Sequence, residues 1–216
     1  MENMKQQKTK LIMFDYDGVL MDSNHLPKLY YDDLAKILGT KRFTSVEETR
    51  EYLEVSVHDT LQKLGVDTPE KKEIAMKLFR SYDDKWKNLN LFPQVREMLK
   101  TLKEYGYILA IVSNNISEVI EHDLKKNDIH QYFDHIIDIK FGRKPEIDQI
   151  IHCLKITGTL PEEAVMVDDM DGGIIAAKNA KLKKAIGVSY GYQLRERLHM
   201  ADVIVDHPTQ IIDAVK

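Results

Sequence analysis

The sequence predicts an α/β protein in which a doubly wound parallel sheet carries an inserted α-helical domain. Three observations support this fold class. Short apolar runs recur along the chain, helical patterns separate most of them, and the stretch from about residue 24 to residue 90 has helical patterns but no convincing strand. A chain of 216 residues is long enough for one large domain or for a core domain with a smaller companion.

The predicted strands begin with the apolar run at residues 10–14. Most of the later runs are continuous rather than alternating, which is typical of a parallel sheet covered on both faces. The further predicted strands are residues 107–113, 135–139, 164–167, 185–188 and 203–205.

Two helices between these strands are predicted from apolar residues at the i, i+3, i+4, i+7 spacing of a helix. Pro93 near the start and Gly106 at the end bound the first of them. Its apolar residues are Val95, Met98, Leu99 and Leu102, and those of the second are Ile147, Ile150, Ile151 and Leu154.

Residues 24–90, which we call the insertion, are predicted to be a helical domain, with residues 10–23 and 91–216 as the Rossmann-like core. Pro69 opens one predicted helix and Thr68 is its predicted N-cap. The insertion either pads the fold or forms a lid over the loop that carries Asp15, and its departure directly after that loop favours the lid. Its apolar positions are Tyr30, Leu34, Ile37, Leu38, Ala75, Leu78, Phe79, Tyr82 and Trp86.

Composition narrows the possible functions. The net charge of -4 gives no general attraction to nucleic acid, so we expect no nucleic-acid partner. No segment approaches a membrane-spanning length and the polar first nine residues lack an apolar signal region, so we expect a cytoplasmic protein without a membrane partner. The single cysteine, Cys153, fits a reducing compartment and a structural role. The eight histidines show no zinc-ligand spacing.

The chemistry is predicted to begin where the first apolar run ends, at Asp15, Asp17 and Gly18. An Asp-x-Asp-Gly run is also ordinary turn composition, because Asp bonds nearby amides and Gly accepts a positive φ. Two acids one residue apart in a loop can be steered separately, so that one attacks while the other moves a proton.

Polar residues also follow three later strands, and in an open α/β sheet ligands bind beyond the carboxyl ends of the strands. Each group has an ordinary alternative, as a helix N-cap, a solvated charge or a loop. Together they indicate a site for phosphate and a divalent cation, since carboxylates suit Mg²⁺ while a hydroxyl and an ammonium suit phosphate oxygens. These residues are Ser113, Asn114, Asn115, Lys144, Asp168, Asp169 and Asp171.

As a set, these residues resemble the four motifs of the haloacid dehalogenase superfamily of phosphotransferases, in the family's order and over nearly the whole chain. The first motif, Asp-x-Asp-Gly after an apolar strand, resembles residues 14–20. The second resembles Ser113, the third Lys144 with Pro145, and the fourth residues 167–169. The insertion is similar to the α-helical cap found in phosphoglycolate phosphatase and β-phosphoglucomutase.

The resemblance implies that Asp15 attacks phosphorus and forms an aspartyl-phosphate, while Asp17 protonates the leaving oxygen and then deprotonates the hydrolytic water. It implies Mg²⁺ held by the Asp15 carboxylate, the Asp17 backbone carbonyl and Asp169. The implied partner is a small phosphorylated metabolite, and the implied assembly is a monomer or homodimer. The transferring phosphoryl group would be held by Ser113, Asn114 and Lys144.

The fourth motif of this chain departs from the family's usual pattern, and the first motif distinguishes the chain from the dehalogenases proper. The usual fourth motif is Gly-Asp followed by a second Asp, but here Asp168 stands at the glycine position and Gly173 at the second acid. Either Asp168 or Asp171 would then supply the missing carboxylate. The dehalogenases proper lack the second acid of the first motif, so Asp17 argues for phosphoryl transfer.

Several alternatives stay open at this point. Sugar-phosphate mutase, pyrophosphatase and phosphonate hydrolase share the phosphate machinery, and the last needs a cap lysine such as Lys41 or Lys63 for a Schiff base. An idle binding relative and a receiver domain are the non-enzymatic alternatives, although a receiver carries its acid pair and phosphoacceptor on different strands. The segment predicted to select the substrate is residues 52–56, with Lys41, Arg42 and Arg50 nearby.

Overall fold

The computed structural model describes residues 8–54, 56–82 and 85–216, and it confirms the predicted doubly wound α/β fold. Six parallel strands form one sheet in the order β3-β2-β1-β4-β5-β6, so the first strand lies at its centre. The strands are β1 (Leu11–Phe14), β2 (Ile108–Val112), β3 (His135–Ile137), β4 (Ala164–Asp168), β5 (Lys184–Val188) and β6 (Val203–Val205).

Every predicted strand is present, but several of the predicted ends are wrong. Residues 107 and 113 lie outside β2, and β3 stops two residues early because Asp138 uses its side chain to bind neighbouring backbone. Residue 10 also lies outside β1. The other two differences are extensions, by residue 168 in β4 and by residue 184 in β5. Asp168 pairs with Gly187 in the ladder, so β4 includes an acid that hydrophobicity alone excludes.

The central strand is buried on both faces, as its continuous apolar sequence predicts. Successive side chains of a strand point to opposite faces, so Ile12 and Phe14 pack in one hydrophobic cluster while Leu11 and Met13 pack in another. Cys153 is fully buried in the second cluster, where burial raises the pKa of its thiol to about 12.

The helices of the core alternate with the strands. The predicted inner face of α5 is confirmed, since Val95, Met98, Leu99 and Leu102 are all fully buried. In α7, Ile151 is 45% exposed, so its predicted place in the core is wrong. The core helices are α5 (Val95–Glu104), α6 (Ser117–Lys126), α7 (Asp148–Thr157), α8 (Asp171–Asn179) and α9 (Ile211–Ala214).

None of the described residues of the insertion belongs to a strand. Its helices enclose a hydrophobic cluster of their own that includes Tyr30, Leu34 and Tyr82. The predicted N-cap is confirmed, because the Thr68 hydroxyl accepts a hydrogen bond from the Lys71 N–H at 3.3 Å. The helices are α1 (His25–Leu38), α2 (Val46–Tyr52), α3 (Val57–Lys63) and α4 (Pro69–Arg80). Across the described ranges, no helix combines the length and apolarity needed to span a bilayer.

Asp138 ties β3 to the start of α6. Its Oδ2 accepts hydrogen bonds from the Ser117 N–H at 3.1 Å and the Ser117 hydroxyl at 2.6 Å, and its Oδ1 accepts from the Lys140 N–H at 3.0 Å. A backbone N–H at the start of α6 is therefore hydrogen-bonded by the carboxylate of the residue that follows β3. The N-cap residue of α6, Ile116, makes no side-chain cap. Burial by itself raises the pKa of Asp138, but these hydrogen bonds outweigh burial and hold it below 3.8.

We expect Asp138→Asn to lower the free energy of unfolding at neutral pH and to flatten its dependence on pH in the acid range. The pKa of Asp138 is lower in the folded protein than in the unfolded chain, so its ionised form stabilises the fold above the ordinary pKa of 3.8, and that contribution is lost as the pH falls through the folded value. Urea unfolding at several pH values measures this, with the exposed Asp148→Asn as control. An equal acid slope in Asp138→Asn and the wild type would contradict the assignment.

Candidate active site

The end of β1 separates the two acids of the first motif from the residue between them. Asp15 and Asp17 are partly exposed, whereas Tyr16 is fully buried, as the alternation of a strand requires. The Asp15 N–H still donates to the Val167 carbonyl at 2.9 Å, which extends the ladder by one residue. The chain then turns through Gly18, whose φ of +73° suits glycine. Both carboxylates therefore lie on the same side of the strand.

Lys144 is the buried cation of the site. It is 5% exposed, and its Nζ lies 3.0 Å from Asp15 Oδ1 and 2.6 Å from Asp168 Oδ2. Burial lowers the pKa of Lys144, but attraction to Asp15 and Asp168 outweighs burial and raises it above the ordinary value. Lys144 is therefore charged at neutral pH and is able to attract phosphate oxygens.

Ser113 and Asn114, the other predicted phosphate ligands, follow β2. Ser113 is 2% exposed, and the Gln149 side chain donates to its carbonyl at 2.7 Å. The Asn114 amide contacts the backbone of Lys144: its Oδ1 accepts from the Lys144 N–H at 2.8 Å, and its Nδ2 donates to the Lys144 carbonyl at 3.2 Å. In this arrangement Asn114 positions the lysine, and direct phosphate contact by Asn114 stays a prediction.

Asp169 lies in a narrow space at the end of β4. It is fully buried, and its Oδ2 accepts from the Tyr192 N–H at 2.6 Å. A Cβ on Gly18 would lie 1.9 Å from Asp169 Oδ2, and one on Gly191 would lie 2.3 Å from the same oxygen. Glycine is therefore required at both positions to leave room for the Asp169 carboxylate.

Asp168 occupies the space next to the position where the usual fourth motif has its second acid. A Cβ on Gly173 would lie only 1.8 Å from Asp168 Oδ2, so an aspartate at both positions would clash. The acid at Asp168 therefore requires the glycine at Gly173, so the two departures from the usual motif depend on each other. Oxygens of Asp15, Asp168 and Asp169 lie within 4.8 Å of one another, so of the two acids nominated to replace the missing one, the geometry favours Asp168 over Asp171.

Three observations indicate that this cluster suits a divalent metal ion. Asp169 Oδ1 is buried and makes no hydrogen bond to any described residue. Burial raises the pKa of both Asp168 and Asp169, and repulsion from Asp15 adds to this effect. The donor set consists of carboxylate oxygens, which Mg²⁺ prefers.

Asp17 is suited to proton transfer at neutral pH. Burial, together with repulsion from Asp15, raises the pKa of Asp17 to about 7. Its Oδ2 accepts a hydrogen bond from Asn115 Nδ2 at 2.9 Å, which favours the ionised form and fixes the carboxylate. A carboxyl group with a pKa near the working pH is able to give and take a proton in turn.

The sequence did not predict several contacts that organise this site. Asn115 was named as part of the Ser-Asn-Asn run after the second strand, but its contact with Asp17 was not predicted. Tyr192 had no signal in the sequence, yet its hydroxyl donates to Ser23 Oγ at 2.6 Å and its backbone binds Asp169. Gln193 Oε1 accepts from the Asp171 N–H at 2.6 Å.

The two connections between the insertion and the core lie side by side. The Asp22 N–H donates to the Asn90 carbonyl at 2.9 Å. The fully buried Asp123 accepts hydrogen bonds from the Tyr16 hydroxyl at 2.9 Å and from the Asn88 N–H at 2.7 Å. Asp123 therefore links the residue between the two catalytic candidates to the end of the insertion.

Polar contacts hold the insertion against the loop after β5. Arg50 Nη2 donates to the Ser189 carbonyl at 2.6 Å and the Gln193 carbonyl at 3.1 Å. Arg197 Nη2 lies 2.9 Å from Glu54 Oε2, and Asn24 donates to the Tyr190 carbonyl at 2.7 Å. Of the segment predicted to select the substrate, residue 55 lies outside the described residues.

A doubly wound parallel sheet with carboxylates, a hydroxyl and a buried lysine at one edge defines a class of phosphate-handling α/β enzymes. Within this class, the chain belongs to the haloacid dehalogenase-like hydrolase family, whose profile matches residues 12–187. The resemblance stated from the motifs is thereby confirmed.

Named relatives match the chain over almost its full length. It is 29% identical to phosphoglycolate phosphatase of Vibrio vulnificus strain YJ016, covering 98% of both chains. It is 30% identical to "Putative pyrophosphatase PpaX" of Clostridium perfringens strain 13, covering 96% of this chain and 97% of the relative. The fold is shared with a Streptococcus pneumoniae hydrolase, haloacid dehalogenase-like family protein SP0104, at a TM-score of 0.82 and 21% identity, over 96% of this chain and 99% of that one.

We expect Gly173→Ala to destabilise the protein by about 1–3 kcal/mol, because the new methyl group overlaps Asp168 Oδ2. In an Asp168→Gly background the overlap is gone, and the same change should stabilise α8 by up to about 1 kcal/mol, because alanine favours helix over glycine. Urea unfolding of the four proteins in this cycle measures the coupling. Equal effects of Gly173→Ala in both backgrounds would show that the two positions are independent.

Proposed function

We propose that this protein is a Mg²⁺-dependent phosphatase that hydrolyses a small phosphomonoester through an aspartyl-phosphate on Asp15. The observation that carries the proposal is the arrangement of Asp15, Lys144 and Asp169 around one point, with Asp17 beside them at a pKa of about 7. Membership of the hydrolase family and the phosphoglycolate phosphatase relative support it.

In the first step, an oxygen of the Asp15 carboxylate attacks phosphorus and the bond from phosphorus to the leaving oxygen breaks. Asp17 in its protonated form gives its proton to that oxygen, so the product leaves as a neutral alcohol. In the second step, water attacks the phosphorus of the aspartyl-phosphate, the bond between phosphorus and the Asp15 oxygen breaks, and Asp17 takes the proton of the water. Inorganic phosphate leaves and both acids return to their starting forms.

Ser113 and Lys144 would hold the transferring phosphoryl group. Mg²⁺ would be held by the Asp15 carboxylate, the Asp17 backbone carbonyl and Asp169, with Asp168 as a further carboxylate at the same place. When bound, Mg²⁺ reduces the repulsion between the anionic nucleophile and the anionic phosphate.

The insertion, residues 24–90, would act as a lid over a core formed by residues 10–23 and 91–216. Its contacts with the loop after β5 support this assignment, because the same loop binds Asp169 through the Tyr192 N–H. A lid excludes water from the phosphoryl group until the substrate is bound. The single cysteine, Cys153, supports a cytoplasmic location.

The environments of the two candidate lysines argue against the phosphonate hydrolase alternative. Such an enzyme needs an amine that is easily deprotonated. Lys41 is exposed and its Nζ lies 2.6 Å from Glu48, a contact that raises the pKa of Lys41. Lys63 forms an ion pair with Glu54. Pyrophosphate stays a second candidate substrate because of the Clostridium perfringens relative.

We expect Asp15→Asn to reduce the turnover of p-nitrophenyl phosphate with Mg²⁺ on the order of 10⁴-fold or more, because the amide is not a nucleophile. The matched control is Asp22→Asn, which removes the same charge from an exposed residue of the same loop and should leave turnover within a few-fold of the wild type. Full activity of Asp15→Asn would rule out the aspartyl-phosphate.

We expect Asp17→Asn to slow ethyl phosphate hydrolysis more than p-nitrophenyl phosphate hydrolysis, when kcat/KM is compared. Ethanol needs a proton as it leaves whereas p-nitrophenolate does not, and general acid catalysis contributes about 10²–10⁴-fold. An equal loss with both esters would assign Asp17 a structural role in place of proton transfer.

A further inference from the structure

A cavity of about 80 Å³ lies between the insertion and the core. Residues of the insertion form most of its wall, and Met170 and Tyr192 of the core complete it. The wall is mainly aromatic and aliphatic, which is unusual beside a cluster of carboxylates. Its largest apolar side chains are those of Tyr30, Tyr31, Leu53, Phe79, Trp86 and Tyr192.

This cavity adjoins the acid cluster. Met170 directly follows Asp169 in the sequence, and the Tyr192 N–H donates to Asp169 Oδ2 at 2.6 Å. The Tyr192 hydroxyl donates to Ser23 Oγ, so this one residue touches both the cavity and the loop of the first motif. Met170 and Tyr192 therefore connect the wall of the cavity to the acid cluster.

Several polar groups of the wall are already engaged within the protein, although the buried Trp86 Nε1 makes no hydrogen bond to any described residue. The Thr60 hydroxyl donates to the Ser56 carbonyl at 3.1 Å and accepts from the Glu54 N–H at 2.9 Å. The Tyr30 hydroxyl donates to the Ala75 carbonyl at 3.0 Å. These contacts leave the wall with little capacity to bind the hydroxyl groups of a sugar.

Among the described residues that line the cavity, none carries a positive charge, and the carboxylate of Glu54 is paired with Lys63 and Arg197. Arg197 is paired with Glu54, and Arg50 donates to backbone carbonyls of the loop after β5. A carboxylate or second phosphate in the cavity would lose its hydration without gaining a counter-charge, which is costly. Glycolate and pyrophosphate are therefore poor matches for this wall.

We propose that the cavity binds the leaving group, and that the substrate is a phosphomonoester of an aromatic or other apolar alcohol. The proposal rests on the proposed phosphatase function, because it places the phosphoryl group at Asp15. Burial of an apolar group in this wall supplies binding energy in proportion to the area removed from water.

The first experiment compares kcat/KM for benzyl phosphate and ethyl phosphate, with 2-phosphoglycolate and pyrophosphate alongside. Benzyl and ethyl alcohols are similar in basicity, so their difference reports the cavity more than the reactivity of the ester. We expect benzyl phosphate to exceed ethyl phosphate by at least ~10-fold and to exceed both anionic substrates. A preference for 2-phosphoglycolate or pyrophosphate would overturn the proposal while leaving the phosphatase function intact.

The second experiment introduces a cation into the wall by Val57→Arg. Val57 is 43% exposed, so a longer side chain is tolerated, and Met76→Arg in α4 is the matched control because Met76 is 42% exposed and lies outside the wall. We expect Val57→Arg to lower kcat/KM for benzyl phosphate by about tenfold and to raise it for 2-phosphoglycolate, whereas Met76→Arg leaves both unchanged. Equal effects of the two variants would contradict a role for the wall.

A binding measurement separates failure of this proposal from failure of the phosphatase function. Benzylphosphonate, methylphosphonate and 3-phosphonopropionate resist hydrolysis, and calorimetry with Mg²⁺ gives their affinities for the wild-type protein. We expect benzylphosphonate to bind at least ~10-fold more tightly than the other two. Equal affinities, or tighter binding of 3-phosphonopropionate, would overturn the apolar assignment of the cavity. Absence of hydrolysis of every ester is a separate result, and it would refute the phosphatase function.

Discussion

The site depends on one buried ion-pair arrangement, in which the Lys144 ammonium lies between the carboxylates of Asp15 and Asp168. Four acids meet at this edge of the sheet, and burial together with the repulsion between them raises the pKa of Asp17, Asp168 and Asp169. Lys144 offsets part of that repulsion by placing a positive charge between the carboxylates of Asp15 and Asp168. Because removal of one partner from a buried pair leaves an uncompensated charge, the loop that carries Lys144 must be held firmly. The Asn114 amide does this by binding both backbone groups of the lysine.

Much of the fold could be predicted because a covered parallel sheet leaves a simple trace in the sequence. Each strand is a short apolar run, and each helix repeats its apolar residues every three or four positions. The ends of strands were less predictable. Asp168 belongs to β4 because its backbone pairs with Gly187 of the neighbouring strand, and hydrophobicity does not indicate that pairing. The carboxylates and Lys144 were found as polar residues directly after strands. Tyr192 and the contact of Asn115 with Asp17 were missed because these contacts join positions 23 and 98 residues apart, and no local pattern indicates such a pairing.

In the proposed function, the two parts of the molecule would divide the recognition of a substrate between them. The core would supply the charges that handle phosphate, and they come from the ends of neighbouring parallel strands. The insertion supplies most of the wall where the rest of the substrate would lie. Tyr192 belongs to both environments, because its ring packs against the hydrophobic cluster of the insertion while its N–H binds Asp169. Such a division would allow the wall to change while the phosphate site stays the same.

The neighbouring connections of the insertion carry a consequence for how such a protein diversifies. The chain leaves the core after Met21 and returns at Leu91, which lies beside it in an antiparallel bridge. Residues 24–90 therefore form a long insertion whose two ends lie next to each other in the core. Lengthening a closed loop adds little further entropy cost, so helices can be added to or lost from this segment without moving β1. Insertions and deletions within residues 24–90 could thus change the substrate specificity while the carboxylates and Lys144 stay in place.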